Sequence, residues 1–437
     1  MTVTLHTPIL KGEVKAIASK SEVHRLLICA SMADNTTTIA CSEINADIEA
    51  TQKCLTALGA KIAYENGYFH VDPIQEIPTQ EVTLMPGESG STLRFLLPVV
   101  CGLGVKCKFI MEGRLANRPL SPLKELLEQN GATIYQEDNV LYVSGKVRGE
   151  SFSIAGDISS QFISGLLFML PMWGGNVIIT GKTESLPYIE MTIAALSEFG
   201  CNVVETKDGY QVPKKQPLFS PEKIEAKGDW SNAAFFITAG VLGKEPVKIT
   251  DIDINSKQGD KEIIDVLRNA GARIDVEDNT VTAWPSTLFG TEISAAQIPD
   301  LVPILSVAAG VAVGKTKIYA AGRLRIKESD RLAAICEMLK NFGAKCEETE
   351  DGLIIEGFGK TICSSGSCKM VCGTLPGTKN EKVSISSHND HRIAMSAAIA
   401  ATLCPKAVEI SGAEAVNKSY PLFWTDYHKL ASKEEEM

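Results

Sequence analysis

A chain of 437 residues, 44% hydrophobic and 22% charged, is long enough for two domains with full cores, and its ordinary composition excludes a disordered or coiled-coil protein. The formal charge of −10, with no stretch that interleaves basic and aromatic residues, argues against a general nucleic-acid binder. Twelve cysteines, in a chain whose opening MTVTLHTPILKGEV lacks a charged region followed by an apolar core, read as free thiols in a reducing cytoplasm.

In chain order, the first polar cluster is "AIASKSEVHRLLICASMAD", where Lys20, Ser21 and Arg25 precede or open a helix carrying Leu26, Leu27, Ala30 and Met32. "MPGESGSTLRFLLPVV" places Gly87, Ser89, Gly90, Ser91 and Thr92 at a helix start with Arg94 one turn inside. Backbone N–H groups there can cradle an anion, although an ordinary capped helix explains the pattern as well, and the Gly-Lys-Ser/Thr of a P-loop is missing. "EGRLANRPLSPLKELLEQ" carries Arg114 and Arg118 ahead of Pro119 and Pro122, a basic site or a polar linker. "GDISSQFISGLLFMLP" sets Ser159, Ser160 and Gln161 at another helix start.

The most apolar stretch, from Phe162, is broken by Pro171 and Gly174-Gly175, so it reads as a buried helix running into a strand rather than a membrane span. A helix is expected within 322–343, its stripe Leu332, Ile335, Met338, Leu339 and Phe342, with Lys327, Glu328 and Arg331 around the first turn. "CSSGSCKMVC" (Cys363, Cys368, Cys372) has the density of a metal knuckle without its paired spacing. "SSHNDHRIAMSAAIAA" puts His388, Asp390, His391 and Arg392 before a run of small apolar residues; alone it admits a metal pair, a structural cap or an anion socket. The tail SKEEEM reads as solvated.

The chain also repeats. "LTALGAKIAYENGYFHV", "LLEQNGATIYQEDNVLYV", "LSEFGCNVVETKDGYQV", "LRNAGARIDVEDNTVTA" and "LKNFGAKCEETEDGLII" each read as a helix end, a Gly, a strand, a polar turn and a second strand. Their glycines, Gly59, Gly131, Gly200, Gly271 and Gly343, stand 72, 69, 71 and 72 residues apart. Five visible copies leave room for about six, which predicts an α/β protein of two globular halves with three α+β repeats each. A boundary is expected near Gly228-Asp229: residues 18–227 form one domain, and 1–17 join 228–437 in the other, with the active site in the cleft between them. Basic residues at several helix starts in both halves suit small, multiply charged substrates, phosphates and carboxylates.

Together these motifs resemble the 5-enolpyruvylshikimate-3-phosphate synthase family. "SKSEVHR", "GESGSTLR", "NRPLSPL", "SSQFISGLL", "LPYIEMT", "IPDLVPILSVAAG", "IKESDR", "NDHRIAM" and "AVNKSYPLFWTDY" follow the family's order from Lys11 to about Tyr427. The resemblance implies two domains of three βαβαββ-type subdomains with parallel helices, in the inside-out barrel-like fold of enolpyruvyl transferases. It implies transfer of enolpyruvyl from phosphoenolpyruvate to the 5-hydroxyl of shikimate 3-phosphate through a tetrahedral intermediate, without metal or cofactor, by a cytoplasmic monomer.

By the same resemblance, Lys20, Ser21, Arg25, Ser159, Ser160, Gln161, Ser185, Asp300 and Lys327 would hold shikimate 3-phosphate. Lys20, Gly90, Arg118, Gln161, Arg331, Arg392 and Lys418 would hold phosphoenolpyruvate, with Arg94, Asp390 and His391 in support. Asp300 with Lys327 would handle the hydroxyl proton, and Glu328, aided by Lys20, would act at the methylene carbon. The family's usual Pro-Gly before Ser-Lys is Ile17-Ala18 here, and its usual Asn before the Arg is His24. Gly90 keeps the space that the inhibitor glyphosate exploits, so sensitivity is expected. The rivals are an enolpyruvyl transferase acting on UDP-N-acetylglucosamine, whose reactive Cys is absent from "EGRLANRPLSP", and a catalytically silent phosphosugar-binding protein of the same fold.

Overall fold

A computed structural model of the chain describes residues 1–364, 367–371, 373–377 and 382–431, with the backbone alone for 361–364 and 367–371. The cysteine cluster read as lacking a metal knuckle's spacing (the Cys363 and Cys368 side chains and Cys372) and the tail at 432–437 expected to be solvated lie outside the described residues.

One pattern of elements recurs through the chain. Its fullest copy is the strand Val82–Gly87, the helix Gly90–Leu103, the strand Cys107–Met111, the helix Leu123–Gln129 and the hairpin Ala132–Glu137/Val140–Gly145. The first two strands pair in parallel, Val82 opposite Cys107, as a crossover through a helix requires. The hairpin adds antiparallel, Cys107 opposite Val143 and Ile134 opposite Val143. Alternation explains the sheet's sidedness: Leu141 and Val143 are buried while their neighbours reach the surface. The same four-strand order recurs from Ser151–Ala155 and from Glu292–Ser294.

The five glycines that mark the period all follow a helix and hold φ of 110°, 109°, 77°, 108° and 87° in chain order, a left-handed turn that a side chain resists. The hairpin turns use Asn66, Asp138 and Asp278, also left-handed.

The chain divides into two compact units, Ala18–Lys227 and the pair Met1–Ile17 with Gly228–Met437. Each is closed by a strand from a distant part of its own sequence. Lys223–Glu225 lies parallel to Thr37–Ala40 in the first, and Gly12–Lys15 parallel to Val247–Thr250 in the second. The sixth sheet departs from the pattern. Lys382–Ser386 and Ala407–Ser411 pair in parallel, but Thr2–Leu5 takes the place of the hairpin. Ser19 N–H donates to Lys227 O (2.7 Å) inside the first unit, and Asp229 N–H to Ile17 O (2.8 Å) inside the second.

Each unit has its own apolar core. The helix after each repeat's first strand is the more deeply buried one; in Trp230–Leu242, Val302–Val311 and His391–Ala401 every residue is buried. Small residues permit this: a Cβ at Gly165 would collide with Arg94 O and the Pro98 ring of the neighbouring helix. The apolar stretch from Phe162 is such a helix, Ser160–Met169, running through a turn into the strand Gly175–Thr180. No helix among the described residues is long and apolar enough to cross a membrane.

One element differs from the sequence reading. The helix expected within 322–343 begins only at Arg331, so Lys327 and Glu328 precede it. Asp330 stops it there by accepting the N–H of Ala333 with its carboxylate, which fixes the helix start one residue on.

The period glycines predict a stability effect. At Gly131 a Cβ would stand 2.8 Å from Lys146 O at a φ of 109°. Gly131→Ala is expected to destabilise its unit by about 1–3 kcal/mol, read as a lower urea midpoint by circular dichroism.

Candidate active site

In the unit Ala18–Lys227 the sequence-selected polar residues sit at the starts of its three buried helices, Lys20–Ser31, Gly90–Leu103 and Ser160–Met169. Ser89 and Ser159 cap the latter two, accepting from Thr92 N–H (3.2 Å) and Gln161 N–H (3.3 Å). Gln161 ties two starts together: its carbonyl accepts from Arg94 Nη1 (2.8 Å) and its amide donates to Ser91 Oγ (2.9 Å). Arg94 Nη2 also donates to Pro119 O (3.2 Å), which fixes the backbone beside Arg118. The Arg118 guanidinium lies over Gly90 so closely that a Cβ there would be 2.7 Å from Nη1.

Arg25 is almost wholly buried, yet its acceptors are all neutral: Thr192 Oγ1 (2.9 Å), Tyr188 O (2.7 Å) and Ser21 O. Its guanidinium packs over the Phe95 ring at 4.9 Å. Burial pulls its pKa down to about 10, which leaves it charged at neutral pH. Tyr188 and Thr192 belong to the helix Leu186–Glu198, which starts after Ser185, itself buried at φ 54°. Lys20 pairs with Asp47 (2.8 Å).

In the other unit one arginine gathers three carboxylates. Arg331, 1% exposed, donates from Nε to Asp390 (2.8 Å), from Nη1 to Asp300 (2.8 Å) and from Nη2 to Glu328 (2.7 Å). Arg392 Nη2 stands 3.1 Å from the second Asp300 oxygen, and Lys327 Nζ 3.8 Å from the first. Asp300, Glu328 and Asp390 thus face Arg331, Arg392 and Lys327, three formal charges of each sign. Asp390 has a second task, capping the helix His391–Ala401 through Arg392 N–H (2.9 Å). Its carboxylate also accepts twice from Arg331, from Nε and from Nη2. Lys418 Nζ donates to Asn389 O (2.7 Å).

The two histidines of the opening motif have separate surroundings. His388 meets Glu337 (3.1 Å), whereas the buried His391 ring lies 4.0 Å from Asp390. Among the described residues no three or more His, Cys, Asp or Glu side chains are arranged so that they could hold a metal ion.

Sequence reading passed over four groups. Asp47 is 27 residues from Lys20, and nothing local pairs them. Asp229, Gln258 and Asp260 gather at the start of the helix Trp230–Leu242: Asp229 caps Ser231 N–H (2.8 Å), Gln258 donates to Asp229 (2.9 Å), and the Ser231 hydroxyl donates to Asp260. In sequence Gln258 and Asp260 look like part of a polar linker.

Two aspartates titrate in opposite directions. Burial raises the Asp300 pKa, but Arg392, Lys327 and Arg331 outweigh it and hold the carboxyl well below its usual range. Asp300 therefore stabilises the fold above the unfolded-state value of about 3.9, and that contribution is lost as pH falls through the lower folded value. At Asp260, burial and then the Asp300 charge push the carboxyl up to about 6, against the pull of Arg392 and the Ser231 hydroxyl. The folded state retains this proton across a range where the unfolded state has lost it, so stability falls as pH rises from about 3.9 toward that folded value. Asp260→Asn is expected to stabilise the protein at pH 7 by up to about 3 kcal/mol, with the gain vanishing below pH about 4. Urea midpoints of both proteins across pH measure it; a pH-independent difference would exclude the assignment.

The family model described as EPSP synthase (3-phosphoshikimate 1-carboxyvinyltransferase) matches residues 6–427. A 3-phosphoshikimate 1-carboxyvinyltransferase of Clostridium beijerinckii is 37% identical, over 98% of this chain and 97% of that protein. One from Clostridium perfringens is 38% identical over 96% of each. An EPSP synthase structure from Acinetobacter baumannii superposes with a TM-score of 0.78 over 98% of both chains at 24% identity, a likeness of fold. With its repeats, its helix-start cations and a match over nearly its whole length, the chain belongs to the EPSP synthase family.

Proposed function

We propose that the protein transfers the enolpyruvyl group of phosphoenolpyruvate to the 5-hydroxyl of shikimate 3-phosphate, releasing phosphate, in the route to chorismate and the aromatic amino acids. The observation that carries this is the set of cations in each unit: Lys20, Arg25 and Arg94 in the first two turns of buried helices with Arg118 over Gly90, and Arg331 and Arg392 at helix starts with Lys327 near Asp300 and Lys418 on Asn389 O. In this proposal the protein works as a cytoplasmic monomer without metal or organic cofactor.

Shikimate 3-phosphate is held by Lys20, Ser21, Arg25, Ser159, Ser160, Gln161, Ser185, Asp300 and Lys327. Arg25 suits the phosphate because only neutral acceptors occupy its donors, so its charge is left for a ligand. Phosphoenolpyruvate is held by Lys20, Gly90, Arg118, Gln161, Arg331, Arg392 and Lys418, planar guanidinium forks matching carboxylate and phosphate.

In the addition step the 5-hydroxyl gives its proton to Asp300 as its oxygen bonds to C2 of phosphoenolpyruvate, and Glu328 gives a proton to C3, which becomes a methyl group. Phosphate then leaves C2 and takes up the proton held by Asp300, while the methyl returns one proton to Glu328, which forms the enol ether. Asp300, held ionised, accepts the hydroxyl's hydrogen bond and orients it, with Lys327 nearby. Glu328, bound through Arg331 and more exposed than Asp390, acts at the methylene carbon.

Phosphate release by the EDTA-treated protein tests this. It is expected with phosphoenolpyruvate plus shikimate 3-phosphate, and not with UDP-N-acetylglucosamine as acceptor. Release only with the nucleotide sugar would make the protein the other transferase, and silence with both a binding protein. Asp300→Asn keeps one side-chain acceptor, and the backbone carbonyl that Arg392 Nη1 uses (3.1 Å) is untouched, but the charge is removed, so kcat should fall by about 10²–10⁴. Gly90→Ala must displace the Arg118 end, so KM for phosphoenolpyruvate should rise about tenfold or more, while that for shikimate 3-phosphate changes little. Glyphosate is expected to inhibit; an inhibition constant in the millimolar range would contradict the expected use of the Gly90 space.

A further inference from the structure

His24 is fully buried at the start of the inserted unit, and no step above employs it. Its Nδ1 lies 2.7 Å from Thr51 Oγ1, which lies 2.6 Å from Thr92 Oγ1, which lies 2.8 Å from Ser89 Oγ. Each threonine hydroxyl has one proton to give. That of Thr92 runs outward, to Ser89 Oγ or to Asp47 O at 3.4 Å. Thr51 then gives its own proton to Thr92, and the contact with the imidazole must be made by Nδ1–H. Nε2 is left as a bare lone pair, in keeping with its burial without a hydrogen-bond partner. The opposite direction would bury an Nε2–H without an acceptor, the rarer kind of orphan. Burial, with Lys20 and Arg25 nearby, keeps the ring neutral.

The hydroxyl chain leads to two groups assigned to phosphoenolpyruvate. Ser89 caps the helix that begins at Gly90, beneath Arg118. Asp47, whose carbonyl faces Thr92, holds Lys20 with its carboxylate. We propose that His24 is a positioning residue: its Nδ1–H sets the direction of the Thr51–Thr92–Ser89 chain and so holds Gly90 and Lys20 in place for phosphoenolpyruvate. This rests on the function proposed above.

The test combines kinetics with long-range ¹H–¹⁵N spectra of the wild-type protein. The spectra should show His24 protonated at Nδ1 and bare at Nε2. His24→Leu removes the donor and Thr51→Val removes the first hydroxyl. Each should raise KM for phosphoenolpyruvate about tenfold, with kcat and KM for shikimate 3-phosphate within about twofold. His24→Asn, whose amide N–H can take the Nδ1 position, should restore most of that loss. If His24→Leu fails to fold, Thr51→Val and the spectra still decide.

An Nε2-protonated ring, a wild-type-like Thr51→Val, or an equal rise in both KM values with a lowered melting temperature would each overturn the proposal. Absence of phosphate release by the wild-type protein would instead sink the functional reading and with it the phosphoenolpyruvate role. The tautomer would still show whether the chain of hydroxyls runs as stated.

Discussion

A guanidinium taken out of water needs either opposite charge or a full set of neutral acceptors, and nearly every arginine of the candidate site is buried to that degree. The two units meet this demand differently. Around Arg331, three carboxylates match three cations, and the cluster is formally neutral. Around Arg25, carbonyls and a hydroxyl take the donors and leave the charge standing. In the first arrangement a ligand anion meets an arginine whose charge is already matched; in the second it meets one whose hydrogen-bond acceptors are all neutral.

The repeat explains why charge can be carried so far inward. Each copy buries the helix that follows its first strand, and a buried helix has one end at which unpaired N–H groups require an acceptor. Ser89, Ser159, Asp229 and Asp390 supply it at four of these ends. Side chains two to five residues further along are then held at a fixed height and angle. Arg94 and Arg392 take their positions from this geometry as much as from their own hydrogen bonds. The small residues that let the helices pack closely belong to the same arrangement.

Much of this was legible in order along the chain because it is local. A glycine after a helix, an Asn-Gly or Asp-Asn pair and an apolar stripe each report on a few neighbouring residues, and the period of about seventy residues emerged from them. Capping at Ser89 and Ser159 was legible for the same reason. Asp330 shows the limit: its sequence fits a helical turn, but its side chain ended the helix and left Lys327 and Glu328 outside it. Pairings across the fold were not legible. Lys20 with Asp47, His24 with Thr51 and Arg331 with Asp390 join residues that only tertiary packing brings together. The buried Asp260 was hidden in the same way, since an aspartate in a polar loop looks the same whether water covers it or not.

The strand Thr2–Leu5 completes the last sheet of the chain, and residues 18–227 lie between it and the rest of its unit. During synthesis the inserted unit is available as one continuous stretch, its two ends already joined by the Ser19–Lys227 hydrogen bond. The flanking unit has no such head start. Its strand Thr2–Leu5 is made before the inserted unit but finds its partner, Ala407–Ser411, only well after that unit is complete. Assembly is therefore expected to run from the inserted unit outward, with Thr2–Leu5 among the last elements to settle.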